Sequence, residues 1–305
     1  MKPARILAFT RQIRHVIHCA ITEWINHRAA SKGAALAFYT LFSMAPILLL
    51  VIAIAGFFYG TQTAQREILT QLRGLVGSQG SEAIQLILAG ASDQQQGRLA
   101  TLIASALLLF GATSVFAELK DSLDEIWQVP NTPGAGLWDV ARTRLLSFGL
   151  VLVLAFLMMV SLVVSAALAV LEHYWSGVWK DAVFLMGLLS ELIGFGVIAA
   201  LFAVIYKMLP RARLSWHDVA IGALGTAGLF TLGKYAIGLY IGNSGVANSF
   251  GAAGSVIALL LWVYYSAQIF FLGAEFTHQY ALQLGSLRHS TEFVRVNEVN
   301  KLSKK

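Results

Sequence analysis

The sequence predicts an all-α membrane protein with six transmembrane helices, both termini cytoplasmic, and an N-terminal interfacial amphipathic helix. Three observations predict it. Of 305 residues, 57% are hydrophobic and only 12% charged. Ordinary globular domains carry about 25% charged residues, so a chain this poor in charge cannot cover a water-facing surface. Six segments are long enough to cross a hydrocarbon core, which takes roughly 20 apolar residues. The basic residues alternate between connections, as the positive-inside rule requires.

Residues 1–32 come first. Ile6, Phe9, Ile13, Val16, Ile17, Ala20 and Trp24 fall at helical spacing with Arg5, Arg11, Arg14 and Arg28 interspersed. This predicts a helix in the cytoplasmic interface with its cations near anionic headgroups, or a cytoplasmic helix packed against the bundle. The first span, 33–60, carries Pro46 near its middle. Proline lacks a donor and clashes with the carbonyl four residues earlier, here Phe42, so Pro46 marks a hinge or a static kink. The freed carbonyl needs a partner, such as the hydroxyl of Ser43 or Tyr39.

Residues 61–97 form a long external connection. Ile68, Leu69, Leu72, Leu75 and Val76 make one apolar group, and Ala83, Ile84, Ile87 and Leu88 another. Glycines and serines between 74 and 81 separate them, predicting two short amphipathic helices that cap or shield the bundle. The second span is 98–117. Beyond it, Glu118, Asp121 and Glu125 share one helical face, either a divalent-cation site or a solvated face.

The third span is 145–171 and the fourth 182–209. Glu191 lies inside the fourth, where a carboxylate costs at least about 2.5 kcal/mol unless paired or wet. Gly187 and Gly194 share its face. Arg211 and Arg213, after Pro210, are candidates to hold a lipid headgroup. The fifth span, 216–241, contains Lys234, the other charge well inside a span. Glu191 and Lys234 sit at similar predicted depth and are candidates to pair. The sixth span, 250–276, carries a polar stripe of Tyr264, Gln268 and Glu275, which lines a pathway or bonds between helices. Residues 277–305 are read as a cytoplasmic tail.

The charge balance fixes orientation. Lys2, Arg5, Arg11, Arg14, Arg28 and Lys32 precede the first span; Lys120, Arg142 and Arg144 follow the second. Lys207, Arg211 and Arg213 follow the fourth, and Arg288, Arg295, Lys301, Lys304 and Lys305 the sixth. The opposite connections hold only Arg66, Arg73, Arg98 and Lys180. Both ends are therefore expected in the cytoplasm.

Four stretches together resemble the BrkB/YihY family of bacterial inner-membrane proteins. They are GAALAFYTLFSMAPILLLVIAIAGFFYG from Gly33, LKDSLDEIWQVP from Leu119, LPRARLSWHDVAIGA from Leu209 and FGAAGSVIALLLWVYYSAQIFFLGAEF from Phe250. The resemblance implies a multi-pass protein of the inner membrane with six spans. Family members also carry labels as a ribonuclease and as a serum-resistance virulence factor. Where the family pattern has an asparagine before Ile-Trp, this chain has Asp124-Glu125.

Several chemistries find no support. Cys19 is the single cysteine, so no intramolecular disulfide forms. His15 and His18 beside it lack a fourth ligand. No nucleotide, haem or flavin motif is present, so no cofactor is expected, and neither is a metal site. The short loops leave little room for RNA, so no nucleic acid partner is expected and a nuclease is disfavoured; no catalytic residues are assigned. Two readings stand: movement of a lipid, lipid-linked intermediate or small solute, or a structural role in the envelope without a substrate. Membrane lipids are the expected partners, and a homo-oligomer is compatible with six spans.

Overall fold

The apolar runs need internally bonded backbones, and they form helices accordingly. The computed structural model describes residues 3–92, 114–115, 117–129, 180–212, 214–243 and 253–288. Among these residues the regular elements are helical, with no strand. Helix α1 is Pro3–Asn26, α2 Ala29–Tyr59 and α3 Thr61–Ser92. A described segment 117–126 forms α4. Then come α5 (Lys180–Met208), α6 (Trp216–Asn243) and α7 (Gly254–Gln283). The third predicted span, and nearly all of the second, lie outside the described residues.

Among the described residues, three helices are long and apolar enough to cross a membrane: Gly187–Met208, Trp216–Tyr240 and Gly254–Gln283. Their outer faces are apolar too. Leu188 and Leu192 on α5 and Leu232 and Leu239 on α6 are exposed. Exposed leucines in such number face lipid rather than water.

Helix α7 is the centre of the arrangement. It packs against α1, α2, α3 and α6, and α6 packs in turn against α5. It runs on past residue 276 to Gln283, so part of the expected tail is helix: Thr277, His278 and Ala281 are buried. At one end of α7, Leu259 joins a core of Leu48, Val51, Ile52 and Ala55 from α2 with Ile68, Ala83, Ile84 and Leu88 from α3. Toward the other end, Phe270, Phe271 and Ala274 meet Leu123 and Ile126 of α4, Trp127 in the turn after it and Tyr206 of α5.

Helix α3 breaks where the sequence expects it. Gly77 has φ 79° and ψ 178°, a left-handed value that glycine adopts without a Cβ penalty. The two halves lay Ala64, Ile68, Ala83, Ile84 and Leu88 on the bundle, so this connection shields it. By contrast, α2 runs unbroken through Pro46. The Ser43 hydroxyl donates to the Thr40 carbonyl at 3.2 Å, not to that of Phe42.

Helix α1 is packed against the bundle: Val16 and Ala20 are buried on one side and its main neighbour is α7. Ile17, Ile21 and Ile25 remain exposed on another side. Arg28, with φ 52° and ψ 43°, separates α1 from α2. A left-handed non-glycine residue costs about 1–2 kcal/mol, so tertiary contacts must hold this corner, and they are polar ones.

Candidate functional site

The corner at Arg28 delivers His27 into the bundle. Its Nδ1 lies 2.6 Å from Glu275 Oε1 on α7. Three residues earlier, Trp24 Nε1 donates to the Gln268 carbonyl at 3.3 Å. Gln268 returns a bond, its Nε2 donating to the Ala29 carbonyl at 3.3 Å. Gly33 allows this approach, since a Cβ there would overlap the Gln268 amide.

Helix α4 closes the site from another side. It ends with the Val129 N–H donating to the Asp124 carbonyl at 2.9 Å and the Gln128 N–H to that of Glu125. Gln128 is left-handed, φ 51°, the geometry of a Schellman termination. The turn sets Trp127 beside His278, ring centroids 4.9 Å apart. Lys32 Nζ reaches Glu125 Oε2 at 2.9 Å, although outside hydrogen-bonding geometry.

Gln268, Glu275 and His278 stand on one side of α7, about two turns and then one turn apart. Glu275 is only 1% exposed. Its Oε2, together with His278 Nδ1, Trp127 Nε1 and Gln268 Oε1, is buried without a hydrogen-bond partner among the described residues. Unpaired buried polar atoms are rare in folded proteins, and each calls for a cause such as a bound water, an ion or a chemical role. Here two of them, on Trp127 and His278, lie on rings 4.9 Å apart, one turn from the third on Glu275.

A second network fixes the loop after α5. Asp124, buried on α4, accepts the Arg211 N–H at Oδ1, 2.8 Å, and the Lys120 ammonium at Oδ2, 2.8 Å. Lys207 donates to the Leu214 carbonyl and lies over the Trp216 ring. Asp218, at the start of α6, accepts the Ser286 N–H at 3.0 Å and its hydroxyl at 2.6 Å. Lys32, α4, the 209–215 loop and the end of α7 therefore share one end of the bundle.

The residues singled out from sequence divide. Gln268 and Glu275 belong to the site, and Tyr264 lies half-buried one turn before Gln268. Arg211 is exposed at its edge; Arg213 and the side chain of Pro46 lie outside the described residues. Glu191 and Lys234 stand apart. Glu191 is exposed on α5, and Lys234 Nζ lies 4.9 Å from the centre of the Tyr235 ring. Among the described residues no ion pair joins them, and helix register explains why. Helices α5 and α6 are antiparallel, aligned by Phe202 on Phe230 (centroids 5.8 Å apart) and Tyr206 on Thr226. Lys234 is thus level with the region of residue 198, about 10 Å along the axis from Glu191. Of the acidic face on α4, Glu125 faces Lys32, and Lys120 lies between Asp121 and Asp124. His27, Lys32, Trp127 and His278 were not singled out; the signal was a histidine at the end of α1 and another three residues after Glu275.

The four stretches that carry the family resemblance meet here, through Gly33, Asp124 and Trp127, Arg211 and Asp218, and Gln268 and Glu275. Comparison with known proteins gives the same result. A family model described as "Virulence factor BrkB" matches residues 20–293. A UPF0761 membrane protein of Pseudomonas paraeruginosa is 27% identical over 255 residues, 83% of this chain and 59% of that protein. Another from Psychrobacter is 26% identical over 265 residues, 85% of this chain and 47% of that protein. A third, from Neisseria meningitidis serogroup B, is 25% identical over 245 residues, 80% and 57% respectively. This chain thus spans about half the length of the curated relatives it matches. No solved structure matches it. With the match covering most of its length, this chain belongs to the BrkB family of membrane proteins.

Proposed function

We propose that this protein moves a lipid, lipid-linked intermediate or small solute across the bacterial inner membrane, with six spanning helices and both termini in the cytoplasm. One observation carries the reading: Glu275 is buried on the central helix with one carboxylate oxygen unpartnered. A buried ionisable group in a membrane domain is expensive and marks an ion or substrate path by default. Tyr264, Gln268 and Glu275 form the interior stripe of the pathway, and Arg211 is placed to meet a headgroup. Glu191 and Lys234 are assigned to the pathway's outer half as separate residues. The gathering of Lys32, Lys120, Lys207 and Arg211 at one end of the bundle supports the cytoplasmic assignment of that end.

The test is complementation. In bacteria lacking their own copy, wild-type protein and the Glu275→Gln and Glu191→Gln variants are expressed. Entry of an impermeant dye and membrane abundance are then measured. Loss of the barrier in E275Q at normal abundance is expected.

The second reading, an envelope scaffold without substrate, is favoured by the closed bonding of α5, α6 and α7. There Tyr206, Thr226, Thr277 and Asp218 are each satisfied internally. Under it E275Q complements fully, so the same experiment separates the two.

A further inference from the structure

We propose that Glu275 and His27 form a proton-binding site, which takes a proton from water through the imidazole and holds it inside the membrane domain. This deepens the transport reading by naming the coupling ion. Its use rests on that reading; its chemistry does not.

The geometry separates this pair from a structural ion pair. Lysine or arginine would hold a buried carboxylate charged, but the lysine at hand, Lys32, faces Glu125. Glu275 is left with an imidazole, the side chain that changes charge near neutrality. The His27 side chain is 18% exposed and that of Glu275 1%, so the ring connects the wet edge to the buried acid. One turn beyond Glu275, His278 presents an unpartnered ring nitrogen beside the unpartnered Trp127 Nε1. Chains of carboxylates and imidazoles of this kind carry protons in membrane proteins.

Charges of both signs surround the site: Glu23 near the end of α1, His27 just after it, Lys32 on α2 with Glu125 of α4 against it, and His278 on α7 itself. Burial, not this balance of charge, favours a bound proton, because a carboxyl cut off from water prefers its neutral form and the Glu275 side chain is 1% exposed.

The step balances with one proton. Neutral His27 donates its Nδ1–H to the Glu275 carboxylate. A proton from water bonds to Nε2, the Nδ1–H bond breaks, and that proton passes to Glu275 Oε1. Neutral imidazole and neutral acid remain, and release reverses the step. The tautomer follows from the hydrogen bond.

Infrared difference spectroscopy of the purified full chain in lipid, between about pH 8 and about pH 5, tests this without a substrate. The carbonyl stretch of a buried protonated carboxyl is expected in wild type and in Asp121→Asn, whose side chain is exposed on α4. It is expected to be absent in Glu275→Gln. In His27→Gln, which keeps a side-chain donor, the band is expected to persist with its midpoint raised by about one pH unit. A band retained in E275Q, or an unmoved midpoint in H27Q, overturns the proposal. Band loss in E275Q together with full complementation leaves the proton site standing and removes the transport reading. An unchanged band with lost complementation does the reverse.

Discussion

Gly222 on α6 and Thr277 on α7 meet so closely that a Cβ on the glycine would lie inside the threonine side chain. One turn along, the relationship is reversed, with Gly273 of α7 against Thr226 of α6. Each threonine hydroxyl donates to the carbonyl four residues before it, Thr226 to Gly222 at 2.7 Å and Thr277 to Gly273 at 2.6 Å. Neither hydroxyl is left unpaired in the seam, and the helices close as small-residue pairs allow. Gly222→Val is expected to cost about 1–3 kcal/mol by overpacking, seen as a lower melting temperature in detergent. Thr277→Ala in the same chain should recover part of the loss. A G222V protein that melts like wild type would refute the contact.

That seam shows where the sequence was legible and where it was not. Apolar length located α5, α6 and α7, and the glycines between 74 and 81 located the break in α3. The spacing Gly-x-x-x-Thr occurs in both α6 and α7 and was a readable sign of close packing, but a helix face does not say which neighbour it meets. Glu275 was readable as one member of a polar stripe on the sixth span, with Tyr264 and Gln268. His27 was not, because its partner lies 248 positions away in the chain. Depth alone suggested a Glu191–Lys234 pair; only the register of two antiparallel helices could exclude it.

Asp218 is the clasp between the start of α6 and the turn after α7. Its carboxylate is 2% exposed and accepts two bonds from Ser286. Gly285 is needed beside it, since a Cβ there would meet the carboxylate. Replacing Asp218 by alanine removes the oxygen that accepts both bonds and leaves the Ser286 amide and hydroxyl without their partner. A loss of about 1.5–3 kcal/mol is expected, as for hydrogen bonds to a charged group. Hydrogen exchange should accelerate at residues 284–288 and change little in α3. Uniform exchange across the chain would count against a local clasp.

Asp124 joins three parts of the chain: Lys120 within α4, the Arg211 amide in the loop after α5 and, through the Val129 turn, Trp127 against His278. Asparagine keeps an acceptor for the Arg211 N–H but loses the ion pair with Lys120. Asp124→Asn is therefore expected to cost under about 1 kcal/mol, and Asp124→Ala about 1–3 kcal/mol by orphaning the amide. Thermal melting of both variants in one detergent checks the order. Equal destabilisation would mean that the amide contact contributes nothing.

Helix register gives the sharpest check on the arrangement of α5 and α6. Phe202 stacks on Tyr206 and meets Phe230 edge-on, while Tyr206 donates to the Phe270 carbonyl at 2.7 Å. The Phe202–Phe230 contact, with the Tyr206 hydroxyl 3.2 Å from that of Thr226, locks the two helices against sliding, because a shift of one turn would move the tyrosine hydroxyl about 5 Å from that partner on α6. In a chain with Cys19 replaced by serine, cysteines at 202 and 230 should cross-link with a short bifunctional reagent. Cysteines at 191 and 234, about 10 Å out of register, should not. Charge reversal gives the same reading energetically: swapping Glu191 and Lys234 together should be no better tolerated than the sum of the single changes, as for sites without direct contact. Efficient 191–234 cross-linking, or mutual rescue of the two reversals, would require α5 to slide by two turns and would break the Tyr206 contacts on which this end of the bundle is built.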